Sequence, residues 1–179
     1  MGIDKAGIEI DGETLLERAV TRLGQVCDPV LIGAGDSRLG VAGHRSIEDA
    51  VADAGPLGGL VAALRASPHR HLAVVAVDLL WLDPGLIQLL AERIGNHDAA
   101  VCVTARGVEP LHAVYARSAL PIAETALAGP DRSVRRMVAK LRTLQVPEPE
   151  WRAAGISDRF ARNLNTPGDL AEVSQAPRR

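Results

Sequence analysis

The sequence His71-Leu72-Ala73-Val74-Val75-Ala76-Val77-Asp78 is an apolar run that ends at a single carboxylate. A parallel strand covered by helices on both faces loses the alternation of apolar and polar residues. We therefore predict a buried parallel strand here, with Asp78 at its C-terminal end. Ligands of open α/β sheets bind outside the carboxyl ends of strands, where an acid can hold a cation or a ligand hydroxyl. Aspartates also cap turns after strands, so the run alone leaves both roles open.

The segments on either side of this run alternate between helical and extended patterns. Apolar residues recur at helical spacing from Leu15 to Leu23, and a short apolar strand follows at 29–32. After the run, Asp83 and Pro84 are a typical N-cap and first-turn pair for another helix. This order predicts an α/β fold, namely a three-layer, mostly parallel, Rossmann-like sheet with helices on both faces.

The second half of the chain continues the alternation with shorter segments. Strands are predicted at 99–103 and 111–115, and these two could pair as a hairpin. Helical patterns at 120–127 and 134–141 precede a short strand at 144–146. We expect the proline-rich stretch after it to be irregular, until Thr166 and Pro167 begin a last helix.

Composition limits the class of protein. With 179 residues, 47% of them hydrophobic, the chain fits a single domain spanning 1–179. The formal net charge of −2 comes from mixed charges and excludes a nucleic-acid footprint. Cys27 and Cys102 lie far apart in apolar segments, which favours buried thiols and a cytoplasmic protein. No window approaches the roughly 18 apolar residues that a membrane span needs.

A glycine-rich stretch, Gly55-Pro56-Leu57-Gly58-Gly59, precedes a helix predicted at 60–65. Glycine backbone can approach a ligand closely because no Cβ intervenes. A tight helix entry that needs positive φ would explain the same residues without a ligand. The stretch is therefore compatible with a binding loop and with a purely structural turn.

The histidines and cysteines do not form a recognisable catalytic or metal-binding pattern. The five histidines lack the i, i+4 spacing of a transition-metal site. His112 lies inside a predicted core strand, and we interpret it as structural. The chain has no Gly-x-Ser-x-Gly elbow and no Cys/His nucleophile arrangement, which disfavours hydrolysis through a covalent intermediate.

Taken together, several motifs form an ordered set that resembles the molybdenum cofactor guanylyltransferase family, which is itself similar to sugar-nucleotide transferases. The motifs are Met-Gly-x-Asp-Lys-Ala at the start, Thr14 to Arg18, Glu48-Asp49, Gly55 to Leu60, Val77-Asp78, Glu109-Pro110-Leu111 with Tyr115, and Asn163-Leu164-Asn165-Thr166-Pro167 with Asp169-Leu170. The resemblance covers nearly the whole chain. It implies transfer of GMP from GTP to the terminal phosphate of molybdopterin, with release of pyrophosphate.

The resemblance also implies roles for individual residues. Lys5 and Asp78 would be catalytic, and Asp78 would bind Mg²⁺ together with GTP. The nucleotide-binding residues would be Gly2, Lys5, Asp49, Gly58, Gly59 and Asp78. Asn163 and Asn165 would face the pterin side, although residues of this type also build turns before helices. The implied partners are GTP, molybdopterin and proteins that deliver the cofactor.

The chemistry of nucleotidyl transfer agrees with these residue types. An anionic phosphate attacks an anionic α-phosphate, so positive charge must neutralise the reacting groups. Mg²⁺ uses one or two protein carboxylates and completes its shell with water and phosphate oxygens, which suits a lone Asp78. Lys5 is one of only two lysines in a chain that otherwise uses arginine. A lysine supplies the point charge that phosphate contacts use, although a surface position would also suit it.

The chain departs from the family pattern at two places. The family often has Asp-x-Pro after the metal aspartate, whereas Asp78-Leu79-Leu80-Trp81 has no proline. The family also begins Leu-Ala-Gly-Gly-x-Ser-x-Arg before the methionine that matches Met1. We expect that the natural start lies upstream and that a first strand and half of the glycine-rich loop are missing here. The alternatives are a cytidylyltransferase, another small nucleotidyltransferase, or a truncated remnant without activity.

Overall fold

The structure is a computed structural model that describes residues 5–33, 40–78 and 81–162. The predicted site residues Gly2, Asn163 and Asn165 lie outside these ranges, as does the helix predicted from Thr166.

The described elements comprise eight strands and six α-helices, with three short 3-10 helices. In chain order they are a 3-10 helix at Lys5–Gly7, β1 (Glu9–Ile10), β2 (Glu13–Thr14), α1 (Leu15–Leu23), β3 (Leu31–Gly33), β4 (Arg45–Ile47), α2 (Pro56–Ala66), β5 (His71–Val75), α3 (Pro84–Arg93), β6 (Ala99–Thr104), β7 (Gly107–Ala116), a 3-10 helix at Arg117–Ala119, α4 (Leu120–Ala128), α5 (Val134–Val138), β8 (Thr143–Val146), α6 (Glu148–Ala153) and a 3-10 helix at Asp158–Ala161.

The main sheet has four described strands in the order β5, β7, β6, β8. β8 runs parallel to β6, whereas β7 runs antiparallel to both of its neighbours. Three strands therefore share one direction and β7 opposes them. The hairpin of β6 and β7 is confirmed, since Thr104 pairs with Gly107 across a two-residue loop. A loop this short can only join antiparallel strands, so the mostly parallel arrangement that the sequence predicted includes one antiparallel strand, β7.

Helices cover both faces of this sheet, as predicted. On one face Ala99, Val101, Ala113 and Tyr115 pack against α2, α4 and α5. On the other face Ala100, Cys102, Val114 and Ala116 pack against α3, α6 and the 3-10 helix at Asp158–Ala161. Successive side chains of β6 and β7 thus alternate between two apolar cores, which produces the three-layer α/β architecture.

β5, the strand formed by the apolar run that begins at His71, differs from the prediction in its length and burial. β5 ends at Val75, and Asp78 lies three residues further on, in a turn. All five residues of β5 are only partly buried, because among the described strands β5 pairs with β7 alone. The continuous apolar run was therefore read correctly as extended backbone, but its complete burial was wrong.

Two local predictions also need correction. α2 begins at Pro56, so Gly58 and Gly59 lie inside the helix rather than in the turn before it. Proline is favoured at the first helical position, where its missing N–H is not needed. The stretch after β8, predicted to be irregular, forms α6, with Pro149 near its start and acidic residues in its first turn. Short helices with prolines in their first turn carry little apolar periodicity, which explains the omission.

A buried carboxylate joins β6, β8 and the end of β7. Asp98 accepts hydrogen bonds from Ser118 Oγ at 2.6 Å, from Arg142 Nη2 at 3.0 Å and from Arg142 Nε at 3.1 Å. These bonds, led by the Arg142 contact, lower the pKa of Asp98 to about 2. Asp98 is therefore a structural anchor, and it remains ionised at neutral pH.

The two cysteines and the lengths of the helices can also be compared with the predictions. Cys27 and Cys102 are free thiols; Cys102 is buried in the sheet, as predicted, whereas Cys27 is only partly buried. Burial raises the pKa of Cys102 to about 12, so its thiol stays protonated. In the described ranges no helix has the length and apolar character needed to cross a bilayer.

Candidate active site

The structure brings Lys5 and Asp78 together from opposite ends of the first half of the chain. Lys5 Nζ donates a hydrogen bond to Asp78 Oδ2 at 3.2 Å. Lys5 lies in the first 3-10 helix, and Asp78 lies in the turn that follows β5. Both side chains stay partly accessible, at 34% and 22% of their surface, so a ligand can reach them. The predicted proximity of these two residues is therefore present in the fold.

A small apolar cluster fixes the two segments that carry this pair. Ile8 follows the Lys5 helix, and Val77 precedes Asp78; both pack, with Trp81, against the buried residues Ile10 and Leu15. α1 is held beside them by a capping box, in which Thr14 and Glu17 bond each other's backbone N–H. The Lys5 and Asp78 segments are thus positioned by hydrophobic contacts close to the charged groups.

Asp49 lies against the start of α2. The backbone N–H of Ala50 donates to the Gly58 carbonyl oxygen at 3.3 Å. A Cβ placed on Gly59 would lie 3.3 Å from Asp49 Oδ1, and one on Gly58 would lie 3.1 Å from the Val51 carbonyl oxygen. Because glycine has no Cβ, the loop that carries Asp49 can approach the helix this closely.

The two glycines therefore differ in what they can contact. Gly58 is buried behind the Asp49 loop, whereas Gly59 is partly accessible and borders the neighbouring cavity. Gly55, the residue before α2, adopts a positive φ of 61°, which explains why glycine is found there. The glycine-rich stretch thus serves the helix entry and also shapes the position of Asp49.

A cavity of about 820 Å³ adjoins these residues. Asp49 and Gly59 line it directly, and so do Ala6 and Val77, the neighbours of Lys5 and Asp78. Consecutive residues of β3 and β5 form its sides, so it runs along the edges of both strands. Its volume lies in the range of small-molecule binding sites.

The site has few candidate metal ligands. Within the described ranges, no group of three or more His, Cys, Asp or Glu side chains could hold a metal ion. Asp78 is the carboxylate nearest the paired lysine. Such a site suits a hard cation that takes most of its ligands from water and substrate phosphates, and it does not suit zinc.

Trp81 packs in the same apolar cluster as Val77, the residue before Asp78, and the side chain of Arg159 lies over its ring. The Arg159 guanidinium carbon is 5.8 Å from the centre of the Trp81 ring. Trp81 is one of two tryptophans in a chain with 2% aromatic residues, and this rarity was the only available signal in the sequence. Arg159 could not have been found, because it is brought to Trp81 from 78 positions away by the fold.

His112 occupies the buried strand position that the sequence predicted for it. It is 1% exposed, and neither ring nitrogen has a hydrogen-bond partner within the described part of the chain. Its ring meets the edge of Phe160 at a centroid distance of 5.3 Å. Burial lowers the pKa of His112 to about 4, against a smaller opposing effect of the nearby Asp83 and Phe160 backbone.

This buried histidine makes stability depend on pH. Below its unfolded pKa of about 6.5 the unfolded chain binds a proton that the folded chain excludes. We expect the free energy of unfolding to fall by up to about 1.4 kcal/mol per pH unit between pH 6.5 and about 4. Urea unfolding at several pH values measures this slope. His112→Phe should reduce the slope, whereas replacing the exposed His69 by glutamine should not; an unchanged slope in His112→Phe would contradict the assignment.

Gly59 lies so close to Asp49 that a side chain at position 59 is expected to displace the Asp49 carboxylate. Gly59→Ala places a methyl group about 3.3 Å from Asp49 Oδ1, so the carboxylate must move by a few tenths of an ångström. We expect weaker nucleotide binding, by about three- to tenfold, with a melting temperature within about 2 °C of the parent. Calorimetric titration with GTP measures the affinity. Gly40→Ala, where an added Cβ would lie 3.6 Å from Ser46 Oγ in ordinary van der Waals contact and outside the cavity lining, is the matched control.

Comparison with known proteins identifies the family. The family profile of the MobA-like NTP transferase domain matches residues 1–146. The chain belongs to this family. A probable molybdenum cofactor guanylyltransferase of Opitutus terrae is 36% identical, over 94% of this chain and 86% of that protein. The molybdenum cofactor guanylyltransferase of Rhizobium rhizogenes is 32% identical, over 98% of this chain and 85% of that protein.

Solved structures of the MobA-like type and of cytidylyltransferases share the fold. Molybdopterin-guanine dinucleotide biosynthesis protein A from Archaeoglobus fulgidus superposes with a TM-score of 0.79 at 24% identity, covering 97% of this chain and 90% of that one. The 2-C-methyl-D-erythritol 4-phosphate cytidylyltransferase of Thermus thermophilus superposes with a TM-score of 0.71 at 16% identity, covering 95% and 92%. The predicted nucleotidyltransferase fold is confirmed.

Proposed function

We propose that this chain transfers GMP from GTP to the terminal phosphate of molybdopterin. A phosphate oxygen of the acceptor attacks the α-phosphorus of GTP, and the bond from that phosphorus to the α–β bridging oxygen breaks. The electron pair leaves with pyrophosphate, and the product is the guanine dinucleotide form of the cofactor. The observation that carries this proposal is the contact of Lys5 with Asp78 beside a cavity in a MobA-like chain.

Lys5 serves this reaction as a compact positive charge. Both the attacking and the attacked phosphates are anionic, and the charge on the leaving pyrophosphate increases as the bond breaks. An ammonium group next to Ala6, which lines the cavity, would lower that repulsion, and its flexible stem would let it move from Asp78 to a phosphate oxygen. The hydrogen bond to Asp78 holds it close to the reaction centre.

Asp78 is the residue that would hold Mg²⁺. Bound Mg²⁺ supplies charge neutralisation at the phosphates and orients them. A single partly accessible carboxylate fits this ion, which retains several waters and takes phosphate oxygens as ligands. Lys5, at 3.2 Å, also keeps the carboxylate directed toward the phosphate site.

Asp49 and Gly59 would lie along the nucleoside. Asp49 accepts hydrogen bonds and lines the cavity, so it can contact the N–H groups of guanine or the ribose hydroxyls. Gly59 offers backbone without a side chain at the same wall. This arrangement supports a nucleoside on the α2 side of the cavity, with its phosphates toward Lys5 and Asp78.

The proposed reaction also implies a cellular context. Molybdopterin is a reactive acceptor, so proteins that deliver it directly are expected partners. GTP and Mg²⁺ are abundant in the cytoplasm, which is the compartment that we propose. Neither nucleic acid nor a membrane is part of the proposed reaction.

Nucleotide selectivity tests the proposal. Purified chain is incubated with molybdopterin, Mg²⁺ and GTP, CTP or ATP, and both pyrophosphate and the dinucleotide product are quantified. We expect turnover with GTP and at least tenfold less with CTP or ATP. Preference for CTP would instead support a cytidylyltransferase, the alternative favoured by the shared fold of the Thermus enzyme. Nucleotide binding without product for any of the three would support a chain without catalytic activity.

A further inference from the structure

We infer that Trp81 and Arg159 form a binding surface for the acceptor, which must be a planar heterocycle that carries a phosphate. This inference rests on the proposed function and adds residues that hold the second substrate. Trp81 would stack on the ring system, and Arg159 would bind the phosphate. Together these two residues form the Trp81–Arg159 surface.

The position of Trp81 relates this surface to the reaction centre. Trp81 is three residues after Asp78, and its side chain packs in the same apolar cluster as Val77 and Ile8. That cluster also fixes the segment that carries Lys5. Trp81 remains partly accessible. A ligand on Trp81 is therefore next to the Lys5 and Asp78 pair.

Arg159 is brought to this place by a well-packed 3-10 helix. Phe160 is 1% exposed and meets His112 edge to face at 5.3 Å. His112 pairs with Val75, the last residue of β5. The helix is thus anchored at the carboxyl end of β5, beside the turn that contains Asp78. Arg159 itself is exposed and extends over the Trp81 ring.

The charge state of Arg159 favours an anionic ligand. Within the described ranges, no carboxylate lies within 4 Å of its guanidinium, whereas Arg152, Arg136 and Arg142 each have such a partner. The guanidinium carbon of Arg159 lies 5.8 Å from the centre of the Trp81 ring, within the range of a cation–π contact, and the exposed guanidinium can still donate N–H hydrogen bonds to a ligand. These donors match two oxygens of a phosphate, and the part of the indole that Arg159 leaves uncovered matches a flat ring.

The surface is separate from the nucleoside wall of the cavity. Asp49 and Gly59 line the cavity, but neither Trp81 nor Arg159 does. In phosphoryl transfer the attacking and leaving oxygens lie roughly in line, on opposite sides of the phosphorus. If GTP occupies the cavity, the acceptor must come from outside it. Neither residue of the Trp81–Arg159 surface lines the cavity, and Trp81 packs in the same apolar cluster as Val77, the residue before Asp78.

Steady-state kinetics of Arg159→Gln and Trp81→Leu test the inference. We expect each to raise the KM for molybdopterin about tenfold, which corresponds to the loss of one charge-assisted or stacking contact. The KM for GTP should stay within twofold. Arg159→Lys, which keeps the charge, should recover part of the affinity. Equal changes in both KM values, or no change in the KM for molybdopterin, would overturn the inference.

Arg152→Gln is the matched control. Arg152 also lies over a tryptophan, with its guanidinium carbon 5.0 Å from the Trp151 ring. It contacts Asp158 of the same 3-10 helix at 3.6 Å, so its replacement reproduces any disturbance of that helix. We expect no change in the KM for molybdopterin. An increase equal to that of Arg159→Gln would show that helix placement alone is responsible and would overturn the inference.

Equilibrium binding separates this inference from the proposed function. Molybdopterin is titrated into the chain without nucleotide, and binding is measured by calorimetry for the parent and for Arg159→Gln. If the enzyme prefers CTP, the guanylyltransfer proposal fails, but weaker acceptor binding by Arg159→Gln still supports the surface. If the parent binds molybdopterin and Arg159→Gln binds it equally well, the inference fails whichever nucleotide is used.

Discussion

Replacing Asp78 by asparagine is expected to lower kcat for GMP transfer by about 10²- to 10³-fold. The substitution preserves the size of the side chain but removes the negative charge that would hold Mg²⁺ at the phosphates. It also removes the charge that attracts Lys5 Nζ, 3.2 Å away. Initial rates of pyrophosphate release at saturating GTP and molybdopterin measure the effect. The melting temperature should change little, because both groups are partly exposed.

Combining Asp78→Asn with Lys5→Met tests whether the two residues act on the same step. Lys5→Met should also lower kcat, and the variant with both replacements should lose less than the product of the two single losses, because the residues act on the same phosphates. Asp131→Asn is the matched control, since it removes one carboxylate of an exposed ion pair with Arg136. Retention of more than about a third of the parent kcat by Asp78→Asn would refute the assigned role.

Truncation of Trp151 to alanine is expected to cost about 3–5 kcal/mol of the free energy of unfolding. Trp151 is completely buried between α6 and the sheet, and its Nε1–H donates to the Val103 carbonyl oxygen at 3.1 Å. Its ring also meets Phe160 edge to face at 5.3 Å. The replacement therefore leaves a cavity and an unsatisfied carbonyl oxygen. Urea unfolding monitored by far-UV circular dichroism measures the loss.

Trp151→Phe separates the two contributions. It keeps most of the packing but removes the donor to Val103, so a loss of about 1–2 kcal/mol is expected. Because Trp151 supports Phe160, and Phe160 lies next to Arg159, the alanine variant should also weaken acceptor binding if enough of it folds. A loss below about 1 kcal/mol for Trp151→Ala would mean that α6 contributes little to the core.

The local predictions that succeeded rest on interactions within a few residues of one another. The helix from Leu15 to Leu23, the N-cap Asp83 and the strand at 99–103 were predicted correctly, because side-chain capping and apolar patterning act over one or two turns. The helix start at Pro56 was missed, although proline at the first helical position is a local signal. The glycines that follow Pro56 are equally typical of a loop, and they favoured a later helix start.

The candidate site was predictable only in part. The resemblance selected Lys5 and Asp78, and the fold places them 3.2 Å apart. It also selected Gly58, but this residue is buried against the loop after Asp49. Gly58 therefore permits the close approach of the Asp49 loop and does not line the cavity. Trp81 and Arg159 carry no sequence motif, since neither their spacing nor their neighbours distinguish them from surface residues.

The sequence by itself determined the α/β class, the order of most elements and the apolar run that leads to Asp78, because these depend on residue type and short-range periodicity. The tertiary structure decided the partial exposure of β5 and the antiparallel placement of β7 beside it. It also decided the contact of Lys5 with Asp78 and of Arg159 with Trp81. Strand pairing and contacts across 70 or more residues depend on how whole elements pack, and no local pattern encodes that packing.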